Sequence, residues 1–309
     1  MTFVRTVDAV CDTCGAADSV TVARARDFEF DTCENEFEFV RCTNCGLTYL
    51  KNRPDVAELP VIYPERYYRY NERLGSLVVW LRSRSLRAKV RAIARWIPEE
   101  SSVLEVGCGD GQLLRIARSL RPSWCVAGVD MSPVACRSLT QAGIRAHCTR
   151  FEELRGLEAT QDAVVMNQLI EHVESPTATL EQVHQVLRPG GIVSIETPCV
   201  DAWDARIFRE RCWGGWHCPR HWYLYDRGTV QQALSKTGFD VQHVSYLLSP
   251  YAWLHSLQNH ALDRQWSALA VGLLSERSLP ALAAVCATDV VQRTLTRRTS
   301  NMRVIARRR

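Results

Sequence analysis

The chain has 309 residues, 46% of them hydrophobic, and a formal net charge of +4. That length and apolar content allow one large domain with a sizeable core plus a small one. The charge is too small to argue for a nucleic-acid partner by itself, and no apolar run of about 18 residues is available as a membrane span.

The N-terminus, MTFVRTVDAV, carries Asp8 and lacks the long apolar stretch of a secretory signal. The 13 cysteines therefore suggest a reducing, cytoplasmic setting, where they serve as metal ligands or core thiols rather than disulfides. Residues 1–50 hold two knuckles, Cys11-Asp12-Thr13-Cys14 and Cys42-Thr43-Asn44-Cys45, each followed by glycine. Each C-x2-C pair has the bite for one tetrahedral zinc, and four thiolates leave no open position. The predicted site is thus a structural zinc ribbon on Cys11, Cys14, Cys42 and Cys45, with the metal compensating for a small core. Cys33 lies between the knuckles as a spare thiol.

Residues 51–100 read as a linker and an N-terminal helix. The linker, 51–70, holds three prolines and four aromatic residues, Tyr63 and Tyr67 among them. The helix is predicted over 72–96, with Leu74, Leu77, Val78 and Leu81 on one face. It also carries Arg82, Arg84, Arg87, Lys89, Arg91 and Arg95, which with the arginine-rich C-terminus (Arg293 to Arg309) read as solvated surface. A phosphate-rich partner such as RNA is the functional alternative for these patches.

From 101 to 309 strands and helices alternate, which argues for a parallel sheet covered on both faces. Strands are expected near 102–107, 124–130, 144–148, 161–167, 191–197, 238–247 and 301–309. Helices are expected near 111–121, 132–142, 175–188 and 227–236. Gly190-Gly191 reads as the stop between a helix and the strand that follows.

The first strand and turn, VLEVGCGDGQLL, place Glu105 in a strand before Gly107, Gly109 and Gly111. No Lys-Ser or Lys-Thr follows, which excludes a P-loop, and Gln112 stands where the dinucleotide fingerprint needs glycine. A carboxylate beside the turn suits a ligand with ammonium and sulfonium groups better than a pyrophosphate. The pattern E-x-G-x-G-x-G resembles motif I of the class I S-adenosylmethionine (SAM) dependent methyltransferases. Asp130 ends the next strand, 19 positions after Gly111, a spacing at which an acid accepts from ribose hydroxyls.

The resemblance implies a Rossmann-like sheet of seven strands, the last antiparallel, with SAM across the carboxyl ends of the strands. It implies cofactor-binding roles for Glu105, Gly107, Gly109, Gly111, Asp130, Met131, Glu152 and Asn167. It also makes 248–300 a helical insertion before the last strand, serving as a lid or as a dimer surface.

On the acceptor side, Asn167 to Val173 (NQLIEHV) lacks the [DN]-P-P-[YF] sequence of amine methyltransferases acting on nucleic acid, and its EHV resembles small-molecule methyltransferases. His172 reads either as a substrate contact or base, or as a loop-capping residue. Cys199 occupies a position comparable to the nucleophile of RNA cytosine-5 methyltransferases, yet Asn167 stands where those carry an acid, so a core thiol is expected. The segment RCWGGWHCPRHWYLYD (211–226) gathers aromatics around histidines and suits a flat or apolar ligand. Substrate contacts are assigned to Trp216, His217, Arg220, Tyr223 and Tyr225, and a base role to His221. A metal reading of His217, Cys218 and His221 lacks a fourth partner. The Pro219-Arg220-His221 triplet resembles the PRH segment of bacterial methyltransferases that also carry an N-terminal zinc knuckle module, acting in surface-polysaccharide and secondary-metabolite pathways.

The expectation is therefore methyl transfer from SAM to a small-molecule acceptor at oxygen or carbon. An RNA methyltransferase and a non-catalytic SAM-binding partner are the alternatives. Nucleic acid is disfavoured as a partner, and an oligomer is allowed.

Overall fold

A computed structural model describes residues 2–64, 76–276 and 278–309, with the side chains of 76–78 excepted. The predicted positions Tyr67 and Leu74, and the side chains of Leu77 and Val78, lie outside the described residues. The chain divides into two compact units. The first joins Met1–Arg69, Thr197–Val230 and Ser245–Arg303; the second joins Tyr70–Glu196, Gln231–Val244 and Val304–Arg309.

The chain opens with strands β1 (Thr6–Asp8), β2 (Ser19–Ala25), β3 (Phe37–Cys42), β4 (Thr48–Leu50) and β5 (Asn52–Pro54). The short helix α1 (Leu59–Ile62) and the long helix α2 (Ser76–Ile93) follow. The alternating part runs β6 (Ser102–Val106), α3 (Gln112–Leu120), β7 (Cys125–Asp130), α4 (Pro133–Gln141), β8 (Arg145–Cys148), β9 (Gln161–Asn167), α5 (Pro176–Val186) and β10 (Leu187–Pro198). It continues with α6 (Trp203–Ile207), β11 (Tyr223–Leu224), α7 (Arg227–Lys236), β12 (Phe239–Leu247), α8 (Pro250–Asp263), α9 (Ala268–Leu273), α10 (Leu279–Thr296) and β13 (Asn301–Arg308).

The large sheet has seven strands in the order β12-β13-β10-β9-β6-β7-β8, with β13 antiparallel beside β12. This is the Rossmann-like methyltransferase topology expected. Its middle strands are parallel, with Val103 opposite Val126 in β7 and Ala163 in β9. β9 is buried over Ala163, Val164, Val165 and Met166, the near-continuous apolar run of a strand covered on both faces. Helix starts follow the capping rule. Ser132 and Ser175 each accept a hydrogen bond from the N–H three residues on, and each precedes a proline at the first helical position.

One boundary and one helix face differ from expectation. β10 begins at Leu187, directly after α5, and an irregularity between Leu187 and Ile192 takes up Gly190-Gly191. In α2 the core face is Leu86, Val90 and Ile93, packed against Leu113, Leu114 and Ile305, whereas Leu81 is exposed. A helical repeat places Leu86, Lys89, Val90 and Ile93 on that one face, so Lys89 is buried with them and does not belong to the solvated basic surface. Arg84, Arg87, Arg91 and Arg95 are exposed, as expected of that surface.

In the first unit, β2, β3 and β4 form an antiparallel sheet to which β11 adds a fourth strand, pairing Tyr223 with Tyr49 and Leu224 with Thr48. The cysteine module therefore packs with chain far downstream. The stretch read as a linker contributes β5, which pairs with β1 through Asn52–Pro54. The insertion forms α8, α9 and α10.

Candidate cofactor site and cysteine cluster

In the second unit the turn after β6 takes left-handed backbone at Gly107, Gly109 and Gly111, with φ of +68°, +50° and +71°. Two of these glycines make room for the protein itself. A Cβ on Gly107 would lie 2.8 Å from Leu169 Cδ1, and one on Gly111 would lie 2.2 Å from Leu139 Cδ2. Gly109 differs, because a Cβ there would meet nothing within 4 Å among the described residues. It is the position where the turn offers open space beside its backbone, the arrangement a closely approaching ligand requires.

Asp130 holds that turn. Its Oδ2 accepts from Gly109 N–H at 2.9 Å and its Oδ1 from Ser132 N–H at 2.8 Å. A carboxylate has about four acceptor sites, so two remain for a ribose diol. Met131 follows, 64% exposed. Glu152, in the 3-10 turn Phe151–Glu153, accepts from Thr179 Oγ1 at 2.6 Å, which ties it to α5.

Glu105 is the group that asks for a partner. Its Oε1 accepts from Asn167 Nδ2 at 2.9 Å, while its buried Oε2 has no hydrogen-bond partner among the described residues. Burial pushes this carboxyl up to about 8, above its ordinary 4.5, against the lowering effects of Asn167 and Lys89. Such a group is protonated at neutral pH until a cation arrives to stabilise the carboxylate. Asn167 Oδ1 accepts from Lys89 Nζ at 2.8 Å, and Lys89 Nζ pairs with Glu196 Oε2 at 2.6 Å. Lys89 and Glu196 were missed by sequence reasoning. The readable signal was a lysine in register with the apolar face of α2.

The donor set fits SAM. There is an orphaned buried carboxyl oxygen for an ammonium, an open glycine backbone, and a second carboxylate with spare acceptor capacity.

In the first unit Cys11, Cys14, Cys42 and Cys45 bring their sulfurs within 4.8 Å of one another. Cys11 Sγ lies 3.3 Å from Cys45 Sγ, and Cys14 Sγ 3.5 Å from Cys42 Sγ. Zinc–sulfur bonds of about 2.3 Å in a tetrahedron put sulfurs about 3.8 Å apart, so the cluster fits a zinc ion. Cys33 is buried outside the cluster.

The segment 211–226, expected to face a ligand, is mostly core in this unit. Trp216 is 3% exposed and stacks on Phe39 of β3 at 4.3 Å; Tyr223 is buried opposite Tyr49 of β4, and Tyr225 is buried beside Cys199. Arg220 is fully buried and forms a two-pronged ion pair with Asp27, Nη1 to Oδ1 at 3.0 Å and Nη2 to Oδ2 at 2.8 Å. Its Nε donates to Ile62 O, and the guanidinium lies over Phe30. The expected substrate contact gives way to a structural role, because these donors are spent inside the unit. Asp27 also accepts from Phe30 N–H and Thr32 N–H; burial would raise its carboxyl, and Arg220 holds it below its ordinary value instead.

His221 Nδ1 lies 2.8 Å from Gly215 O, so Nδ1 carries the proton and the neutral ring has its lone pair on Nε2. His217 Nδ1 sits 2.5 Å from Glu29 Oε2. Burial would raise Glu29, but His217 and His255 bring it down to about 2. His217, Cys218 and His221 do not gather as metal ligands among the described residues. Cys199 is fully buried, and burial pushes its thiol up to about 12, which suits a core thiol rather than a nucleophile. In the second unit His172 is partly exposed.

Residues 80–244, just over half the chain, match a family described as a methyltransferase domain. A ubiquinone biosynthesis O-methyltransferase of Parvibaculum lavamentivorans is 32% identical over 103 residues, 32% of this chain and 41% of that one. A malonyl-[acyl-carrier protein] O-methyltransferase of Priestia megaterium is 26% identical over 103 residues, 32% of this chain and 37% of that one. The chain thus spans less than half the length of these curated relatives. Among solved structures, a SAM-dependent methyltransferase of Thermotoga maritima superposes with a TM-score of 0.51 at 14% identity, covering 81% of this chain and 100% of that one. Geranyl diphosphate methyltransferase in complex with SAM gives 0.50 at 13%, covering 82% and 93%. At these identities the superpositions establish the fold.

Proposed function

We propose that this chain, which belongs to the methyltransferase-domain family, transfers a methyl group from SAM to a small-molecule acceptor at oxygen or carbon. The observation that carries the reading is the buried Glu105 carboxyl, with one oxygen unpartnered, beside a turn open at Gly109. SAM supplies an activated methyl group when bound. Glu105 receives the ammonium, Asp130 the ribose hydroxyls, and the turn at Gly107, Gly109 and Gly111 accommodates the methionine half, with Met131, Glu152 and Asn167 lining the site. Oxygen is favoured because the curated relatives named above are O-methyltransferases.

A hydroxyl acceptor needs a base. His221 is the candidate, because its Nδ1 proton is committed to Gly215 O and the basic nitrogen is Nε2. His172 is the second, and His217 is proposed as an acceptor contact, while the buried Trp216, Tyr223 and Tyr225 are read as the packed frame of the segment that carries His221. Zinc on Cys11, Cys14, Cys42 and Cys45 is proposed as structural, since four thiolates leave no position for a reacting group.

The experiment is to incubate the protein with methyl-labelled SAM and a lysate of its host, then separate small molecules, protein and RNA. Label in the small-molecule fraction is the expected result. Label in RNA would overturn the acceptor class and give the exposed arginines of α2 a binding role. Binding of SAM with no label transferred to any fraction would favour the non-catalytic reading.

A further inference from the structure

Glu196, Lys89, Asn167 and Glu105 form one continuous chain of polar contacts inside the second unit. Glu196 Oε2 to Lys89 Nζ is 2.6 Å, Lys89 Nζ to Asn167 Oδ1 is 2.8 Å, and Asn167 Nδ2 to Glu105 Oε1 is 2.9 Å. All three charged members are at least nine-tenths buried. The chain has a fixed polarity. An ammonium only donates, so it selects the oxygen end of the Asn167 amide. That leaves the NH2 end for Glu105, which must then accept. Without Lys89 the amide could turn and present its oxygen, an arrangement that Glu105 satisfies only as the neutral acid.

Charge counting gives the same direction. With Glu105 neutral, Lys89 and Glu196 cancel. With Glu105 ionised, the cluster carries one net negative charge and requires one cation. The other groups acting on Glu105 are Asp110 and Asp130, which oppose its ionisation. Cys108, beside it, is itself held as the thiol by burial and by Asp130 and Glu105.

We propose that Lys89 is a positioning residue of the cofactor site, fixing the Asn167 amide so that Glu105 is kept as an acceptor that ionises against the cationic amino group of the cofactor. The inference rests on the SAM reading above, and it adds that SAM binding expels a proton from the protein. The bond changes are simple: the Glu105 O–H breaks, its proton leaves to solvent, and the carboxylate takes a hydrogen bond from the ligand ammonium.

The test is calorimetric titration of the whole protein with SAM from pH 6 to 9, in buffers of different ionisation heat, using wild type, Lys89→Met, Lys89→Arg and Glu196→Gln. Wild type is expected to release close to one proton per SAM at pH 7 and to bind more tightly as the pH rises toward about 8. Lys89→Met should move that profile upward by about one pH unit or more, weakening binding at pH 7 by about tenfold. Lys89→Arg should restore most of it. Glu196→Gln keeps Lys89 but removes its counter-charge, so its profile should move the other way, to lower pH. This nearly isosteric change decides the matter if Lys89→Met does not fold. Binding with no proton release, or profiles that stay put in Lys89→Met and Glu196→Gln, would overturn the Lys89 inference and leave the SAM reading standing. No binding of SAM by wild type at any pH would overturn both.

Discussion

The glycine turn after β6 and the aromatic segment 211–226 both looked like ligand surfaces in the sequence, and the fold puts them to different uses. At the turn, backbone with open space at Gly109 sits beside a buried carboxyl short of one partner. In the segment, Trp213, Trp216 and Tyr225 are core, and the Arg220 guanidinium is consumed by Asp27. The difference lies in what each signal constrains. Alternating glycines constrain φ at each position, and here two of the three make room for leucine side chains while Gly109 keeps open space. Aromatic residues supply apolar area, and a small sheet that needs a core uses that area as readily as a pocket does.

Substitutions can break this contrast. The largest effect belongs to the cysteine cluster. Stripping metal with a strong chelator, or Cys42→Ser, should unfold the first unit, since structural zinc contributes about 10–16 kcal/mol in small metal-dependent folds. Metal analysis should return one zinc per chain before treatment, and circular dichroism with limited proteolysis should report the loss. A full-strength thermal transition after complete metal removal would refute a structural zinc.

Next in size is the Asp27–Arg220 pair. Asp27→Ala leaves a buried guanidinium uncompensated and should cost about 3–5 kcal/mol in chemical denaturation. If the segment instead faced a ligand, the loss would be near that of an exposed pair, below about 1 kcal/mol.

Within the turn, Gly111→Ala and Gly109→Ala should separate. Both place a side chain at positive φ, costing about 1–2 kcal/mol. Only Gly111→Ala adds a clash with the buried Leu139, so it should lose about 2 kcal/mol or more of stability. Gly109→Ala should stay closer to wild type in thermal melts while losing SAM affinity. Equal melts with equal affinities would remove the distinction between packing and ligand-facing glycines.

The smallest effect is the pH dependence of the ligand-free protein. Glu105 has a folded value raised to about 8, so its contribution is fully present below its ordinary 4.5 and is lost as pH rises through about 8. Between pH 6 and 8 this amounts to about 1–2 kcal/mol. Wild type should lose that much stability relative to Glu105→Gln over the same range. Parallel pH curves for the two proteins would show that Glu105 does not titrate there.

The large sheet was legible because its central strands, β6, β7 and β9, are short apolar runs closed by turn signals, and Glu105 and Asp130 were singled out by their spacing from the glycines. The four cysteines were legible because the C-x2-C bite is a local property. What could not be read were partnerships between distant polar residues. Lys89 meets Asn167 across 78 positions of chain, and Asp27 meets Arg220 across 193. Nothing local to Arg220 distinguishes a guanidinium held by a buried carboxylate from one waiting for a substrate. Lys89 was hidden among arginines that do face solvent, and only its register with Leu86, Val90 and Ile93 set it apart.

The addition of β11 to β4 has a consequence for how the chain is made. Thr48 and Tyr49 are made well before the strand that covers their open edge, Tyr223–Leu224. Until then β4 presents an uncovered row of amides and carbonyls, the feature through which strands of different chains adhere. Most of the second unit is completed in that interval. The nascent first unit must therefore be kept from self-association while its own missing strand is still being translated.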